Sequence, residues 1–393
     1  MAAVQGTGVG AVFSREIKRL ITDPIYLVIM MGLPLFSFAL LIVMFYAGVP
    51  RNIPVAVYDS DNSALSRRII RLIDATPSME VTQKVSDFEQ GRNVVLTGTC
   101  DALIILPRNL EHDVLKGLAP PVINYYDNLY LLPASLISRD VHRVVGMVSA
   151  GISMRLYAAR GVMTREAKKI VEPVKAISRV LFNPYTNYLY FLVGSLLPTM
   201  LQIFIIMSAV YCFGDELKRG TARDWLEHAG GSTWKAVLGK TLPSTIVFVV
   251  IGLFMNTLLF NFLSAPLKGS AFLIGLALFL FIAAYQAIGL FMVTVSANMR
   301  LSLSGAAFFS STAFCFVGIT FPIYAMPLPA QVWAGILPLN YYLKIYIDQS
   351  MRAAPPIHSF VYLGALLAFV LLFVVCLPRL HKLMLDESYW GRI

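Results

Sequence analysis

The chain has 393 residues, 57% of them hydrophobic and only 14% charged, with a mean hydropathy of +0.69 and a formal net charge of +10. Soluble domains carry about 25% charged residues, so the composition excludes an ordinary soluble protein and points to an integral membrane chain. The positive balance follows from membrane topology plus a mildly basic soluble part, and it argues against a nucleic-acid partner.

Residues 1–24 hold "VGAVFSREIKRLITDP", patterned as a surface elbow helix. Val9, Val12, Phe13, Ile17, Leu20 and Ile21 recur at i, i+3, i+4, Arg15, Lys18, Arg19 and Thr22 hold the other face, and Pro24 stops the helix. Such a basic amphipathic helix is expected in the membrane interface. Charge-free runs at 25–48, 186–213, 241–264, 270–297, 301–323 and 357–377 are each near or above the ~20 residues needed to cross a ~30 Å hydrocarbon core. They predict six transmembrane helices. The first run is too long for a cleavable signal and reads as an uncleaved anchor. Pro322, Pro327, Pro329 and Pro338 make 324–356 an outer-surface or re-entrant segment, and 378–393 is a polar tail. Lys and Arg flanking the spans place both termini in the cytoplasm.

Between the first two spans, residues 49–185 read as a soluble α/β domain. "IPVAVYD" (53–59) is a strand, and "DNSALSRRIIRLIDA" is a helix with Asp61 or Ser63 as N-cap and Ile69, Ile70, Leu72 and Ile73 on its inner face. A second helix is expected over 85–97, strands over 101–107 and 121–127, and helix over most of 133–180. The fold class is therefore an α-helical integral membrane protein with six transmembrane helices and an inserted α/β extracytoplasmic domain.

The loop 214–240 contains "HAGGSTWKAVLGKTL", which invites a search for a phosphate cradle. The P-loop pattern G-x-x-x-x-G-K-[ST] ending at Thr241 needs glycine where Trp234 stands, and Gly230 and Gly231 fall too early. The loop reads instead as one amphipathic helix with Leu217, Thr221, Trp225 and Ala229 on one face, a Gly230–Gly231 break, and a second helical piece. Lys240 reads as a cytoplasmic-side interfacial anchor.

No catalytic constellation emerges. The span interiors as drawn carry no ionisable residue, which disfavours an ion-coupled carrier. His112, His142, His228, His358 and His381 lack metal-ligand spacing, and Ser195 in "LVGSL" sits in an apolar helix without the G-x-S-x-G pattern. Cys212, Cys315 and Cys376 lie in or beside spans and Cys100 is alone in the outer domain, so there is no disulfide framework. Gly275, Gly289 and Gly305 read as helix-packing positions.

Four stretches resemble the permease subunits of the ABC-2 type transporter family, in the branch with a large extracytoplasmic domain after the first span. "REIKRLITDP" is similar to the family's elbow. "IPVAVYDSDNSALSRRIIRLIDA" with "CDALIILPRNLEHDVLKG" resembles the outer domain, with its turn at Asp59, Asp61, Ser63 and Ser66. "DELKRGTARDWL" followed by "LGK" resembles the connecting helix, and "FVGITFPIYAMPLPAQVWAGILPLNYYL" the exit of the fifth span. The resemblance implies an ATP-driven exporter in a bacterial inner membrane. Its chain binds no cofactor, ATP and Mg belonging to a soluble ATPase subunit. It pairs with a second permease chain, identical or similar; apolar spans without ionisable groups suit a hydrophobic or amphipathic cargo such as a drug, lipid or modified peptide. A periplasmic adaptor and membrane lipid are further expected partners. Carried over by position, Arg15, Glu16, Glu216, Gly220, Thr221, Trp225 and Lys240 couple to the ATPase. Arg223 stands where the family often has an acid, and Ala229 where it often has a proline. The alternative is a membrane-anchored sensor or assembly factor whose outer domain binds an envelope ligand, which has no use for the connecting helix.

Overall fold

The computed structural model describes residues 7–159, 181–183 and 187–391. The chain divides into two compact units, Met1–Gly48 with Val180–Ile393 and Val49–Arg179. Helix α1 (Val9–Thr22) ends where Asp23 turns extended. The Asp23 carboxylate accepts the Ile25 amide at 3.0 Å and Pro24 takes the first helical turn, so the chain restarts at once as α2, Pro24–Phe45.

Unit Val49–Arg179 is a four-stranded sheet with helices. In order it contains β1 (Ile53–Asp59), α3 (Ala64–Asp74), β2 (Met79–Val85), α4 (Phe88–Leu96), β3 (Ala102–Leu106), α5 (Leu110–Leu115), β4 (Ile123–Tyr126) and α6 (Leu131–Ala159). The sheet order is β2-β1-β3-β4, with β1 parallel to both neighbours and β4 antiparallel to β3. Val55, Val57, Ala102, Ile104 and Leu106 pack with Ile69, Ile70 and Ile73 of α3, while Leu72 stays half-buried. The sequence reading missed β2 and α5. β2 alternates buried ends with exposed polar residues, and its short "MEVTQKV" pattern is too polar to stand out beside β1. The part of the 133–180 helix beyond Ala159 lies largely outside the described residues.

The other unit continues with α7 (Leu189–Arg219), α8 (Ala222–His228), α9 (Thr233–Phe262), α10 (Ala271–Ser296), α11 (Met299–Ser311), α12 (Ala313–Phe316), α13 (Leu328–Gly335), α14 (Pro338–Ile347) and α15 (Pro356–Leu385). Among the described residues, five helices are long and apolar enough to cross a membrane: α2, α7, α9, α10 and α15. The stretch 301–323 is not one helix. At 1.5 Å per residue α11 is only about 20 Å long, short of the ~30 Å a span needs. The hydroxyls of Ser310, Ser311 and Thr312 hydrogen-bond carbonyls three or four residues back, which competes with the helical ladder, and Gly318 turns the chain at φ +81°.

Two ends of this unit can be told apart by contacts. At one end the Gly8 amide donates to the His228 carbonyl, Gly391 to Leu217, and Thr233 meets the His381 ring. At the other, the Lys268 and Gly269 amides donate to the carbonyls of Ser350 and Gln349. Met299 lies against Gly214 near the first end. The chain thus traverses the unit between Met299 and Gln349 in broken helical pieces.

Of the three glycines read as packing positions, only Gly289 is one. A Cβ there would lie 2.7 Å from the Ala209 Cβ, whereas Gly275 and Gly305 face open space. Polar side chains inside the helices pair with each other: Tyr285 donates to Gln202, Thr245 donates to Gln286, and Gln286 donates to Ser244. Gly289→Val is expected to lower the thermal midpoint of the detergent-solubilised chain, while Gly275→Val leaves it unchanged; melting curves of the two variants check this.

Candidate functional site

The piece of loop 214–240 before the Gly230–Gly231 break, read as one amphipathic helix, is divided at Gly220, while the break and the second helical piece are as expected. α7 runs on as far as Arg219 and ends in Gly220, which adopts φ +70° and gives its amide to the last helical turn. α8 follows, then Gly230 and Gly231, both with positive φ, turn the chain by donating to the Glu227 and Leu226 carbonyls. α9 begins at Thr233, eight residues before the apolar run starts.

This folding places Lys240 at the end of the unit where Gly8 meets His228 and Gly391 meets Leu217. Its side chain has no exposed surface. The Nζ donates to Glu16 Oε2 of α1 and to Glu216 Oε1 of α7, both at 2.7 Å, and lies 5.1 Å from the centre of the Trp225 ring of α8. Trp225 is held by its own Nε1–H, which donates to the Ala236 carbonyl at 3.1 Å. Glu216 also receives Arg15 as a two-pronged pair at 2.9 and 3.0 Å, Arg19 at 3.0 Å, and the Thr221 hydroxyl. Asp215 takes Arg19 and Arg219, and Asp23 is approached by Arg219 and the Tyr211 hydroxyl. The second Glu16 oxygen accepts from the Tyr26 hydroxyl at 2.9 Å and the Cys212 thiol at 3.3 Å. Four cations and four carboxylates are interlocked, so the cluster carries no net charge.

Gly239 explains how α1 comes so close. A Cβ at this position would sit 2.7 Å from the Val12 Cβ and 2.8 Å from the Val9 carbonyl oxygen. Gly239 therefore admits the backbone of α1, and Lys240 beside it meets the carboxylate that α1 carries. That is what "LGKT" does here: glycine and lysine dock a helix.

One reading of the sequence is corrected: Lys240 is not an interfacial anchor but a buried ion-pair partner. Both faces of α1 make contacts in the fold, Arg15 and Arg19 with Glu216 and Asp215 and Val12 with Gly239, while Ile17, Lys18 and Ile21 are exposed.

Of the residues picked from sequence, Arg15, Glu16, Glu216, Thr221, Trp225 and Lys240 come together, and Gly220 lies next to them against Trp390. Arg19, Asp23, Tyr26, Asp215, Cys212, Arg219 and Gly239 were not picked. The signal for them was the pattern of both charge signs on α1 facing "DELKR" at the end of an apolar run. The tail "DESYWG" also belongs here: it folds back through a short turn, Glu387–Tyr389, and Gly391 donates to the Leu217 carbonyl at 3.0 Å. Exposed side chains of the loop beyond α7 include Arg223, Asp224, Glu227, Trp234 and Lys235.

Asp59, Asp61, Ser63 and Ser66 of the other unit build a turn. Ser63, rather than Asp61, caps α3 by accepting the Ser66 amide; Asp59 accepts the Asp61 and Asn62 amides and the Ser66 hydroxyl. Asp61 instead accepts the Glu111 amide, and Glu111 in turn accepts that of Ala64. Their hydrogen bonds tie α3 to β1 and α5, which accounts for these residues structurally.

The sequence profile of the ABC-2 family transporter proteins matches residues 24–377, nearly the whole of this architecture. The chain belongs to that family. It is a multi-pass membrane protein, and ABC-2 chains of this kind are the permease component, not themselves catalytic, that usually works with an ATPase subunit. No protein of curated description matches this ABC-2 chain.

The energetics of the cluster are lopsided. Removing one partner of a buried ion pair costs about 3–5 kcal/mol, because the other is left uncompensated. Lys240→Met in this ABC-2 permease is expected to lose folded, monodisperse protein on size-exclusion chromatography, and Lys240→Met with Glu16→Gln, which keeps cations and carboxylates balanced, to recover part of it. Burial pushes the Glu16 carboxyl up, but the Lys240 ammonium bonded to it outweighs this and holds it below the usual carboxylate range. Glu16 therefore stabilises the fold above its unfolded pKa of about 4.3, and that contribution is lost as pH falls through the lower folded value. Thermal midpoints measured from pH 7 down to strongly acidic buffer should fall for the natural chain and fall less for Glu16→Gln.

Proposed function

We propose that the chain is the permease half of an ATP-driven exporter and that the Lys240 cluster is the block through which an ATPase moves the spans. The carrying observation is a division of labour within one end of the unit. Glu16, Glu216, Trp225 and Lys240 are too buried to touch another protein, Arg15 is half-buried beside them, and together they fasten α1, α7, α8 and α9. Arg223, Asp224, Glu227, Trp234 and Lys235 are exposed on the same short loop. A partner seated on the exposed set moves the buried set with it.

On this reading the loop and both termini face the cytoplasm of a bacterial inner membrane, and Val49–Arg179 is the extracytoplasmic domain. Meeting termini require an even number of crossings, so α11 and the helical pieces after it make a sixth. The ATPase holds ATP and Mg, and this chain holds no cofactor. A second permease chain, identical or similar, completes the pathway, and the outer domain docks an adaptor. Cargo is hydrophobic or amphipathic.

The test is direct. The chain alone should hydrolyse no ATP and should co-purify with a soluble protein bearing a genuine Walker A motif. Arg223→Glu with Lys235→Glu should weaken that association about tenfold, ~1.4 kcal/mol, without moving the thermal midpoint. Association and ATPase stimulation left unchanged by this pair would refute the assignment of the docking loop.

A further inference from the structure

Unit Val49–Arg179 carries a groove that transport coupling does not use. Helices α3, α5 and α6 border clefts of about 330, 390 and 470 Å³, at the low end of the ~300–1,000 Å³ typical of small-ligand sites. Ile152 of α6 lines all three, so they form one continuous groove. Leu65, Val114, Val148 and Leu156 extend its floor, and all are half-buried. Among the described residues this aliphatic strip is open rather than closed into the core.

The polar residues on the rim decide what fits. Arg68 and Arg155 both line the same two clefts, both are exposed, and neither has an ion-pair or hydrogen-bond partner among the described residues. The nearest acid on that rim, Glu111, is committed to the Ala64 amide. Two guanidinium groups without an acidic partner among the described residues offer forked donors matched to carboxylate or phosphate oxygens. Beside them lies the apolar strip, in clefts of no more than about 470 Å³ each.

We propose that this groove binds a free single-chain amphiphile with a carboxylate or phosphate head. Arg68 and Arg155 take the head, and the strip over Ile152 takes the chain. The inference narrows the cargo class proposed above and rests on that reading only in calling the ligand cargo; binding itself needs no ATPase.

The test uses the full chain in lipid nanodiscs, without ATPase, irradiated with a long-chain fatty acid bearing a diazirine in its tail. Mapped adducts should fall on the α3 peptide around Leu65 and on the α6 peptide spanning Val148–Leu156. Excess unlabelled fatty acid should remove them and the matching fatty alcohol should not. In Arg68→Gln with Arg155→Gln these adducts should drop about tenfold, as expected on losing charge-assisted hydrogen bonds, while adducts on the span helices persist. Competition by acid and alcohol alike, adducts confined to the spans, or a double variant that labels normally overturns the proposal. A two-chain anionic lipid probe that labels the groove as strongly as the fatty acid overturns the single-chain assignment. Because the acid-versus-alcohol comparison uses the natural chain, a misfolded variant cannot mask the outcome. Absence of groove labelling leaves the exporter reading intact, and absence of a co-purifying ATPase leaves the groove intact.

Discussion

A lysine ammonium without solvent contact dictates much of what surrounds it. Moving an ion out of water costs several kcal/mol even after relaxation, so Lys240 requires carboxylates at hydrogen-bond distance, and it has two. Those carboxylates come from chain segments 24 and 224 residues away. Once Glu16 must reach Lys240, α1 must lie on α9, and once it lies there only glycine fits at 239. Glu216 then needs Arg15 and Arg19 to balance its second neighbour, which fixes the rotation of α1 about its own axis. Position, rotation and the glycine all follow from one buried charge.

Much of this was legible in the sequence, and the missing parts have physical causes. Long apolar runs gave α2, α7, α9, α10 and α15 because nothing soluble tolerates such stretches. Their limits at the end that holds Lys240 were less legible: α7 continues six residues past the last apolar position read as span, and α9 starts eight residues early, since helices do not stop where the charge begins. The 301–323 run has the right hydropathy, but hydropathy is blind to serine and threonine hydroxyls that compete for the backbone at 310–312. Strand β2 escaped because a half-exposed strand of seven residues, with Glu80, Gln83 and Lys84, looks like a polar linker.

The site shows the same limit more sharply. Arg15, Glu16, Glu216 and Lys240 could be named from their place in a familiar order of elements, yet their burial could not. A lysine at the start of an apolar run ordinarily lets its flexible stem carry the charge to the interface, and only partners brought in by the fold reverse that outcome. The residues that surround it, such as Tyr26 and Cys212, sit inside apolar runs where a hydroxyl or thiol carries no visible signal.

The separation of Glu16 from Lys240 has a consequence for biosynthesis. At ~5–20 residues per second, the 224 residues between them take about 10–45 s to emerge. Throughout that interval Glu16 has no lysine to meet, so its carboxylate stays hydrated and α1 stays undocked while α2 is already available for insertion. Docking waits for α9, and the hydrogen bond from Gly391 to Leu217 forms later still, once residue 391 has emerged. The end of the unit around Lys240 is thus assembled from segments made far apart in time.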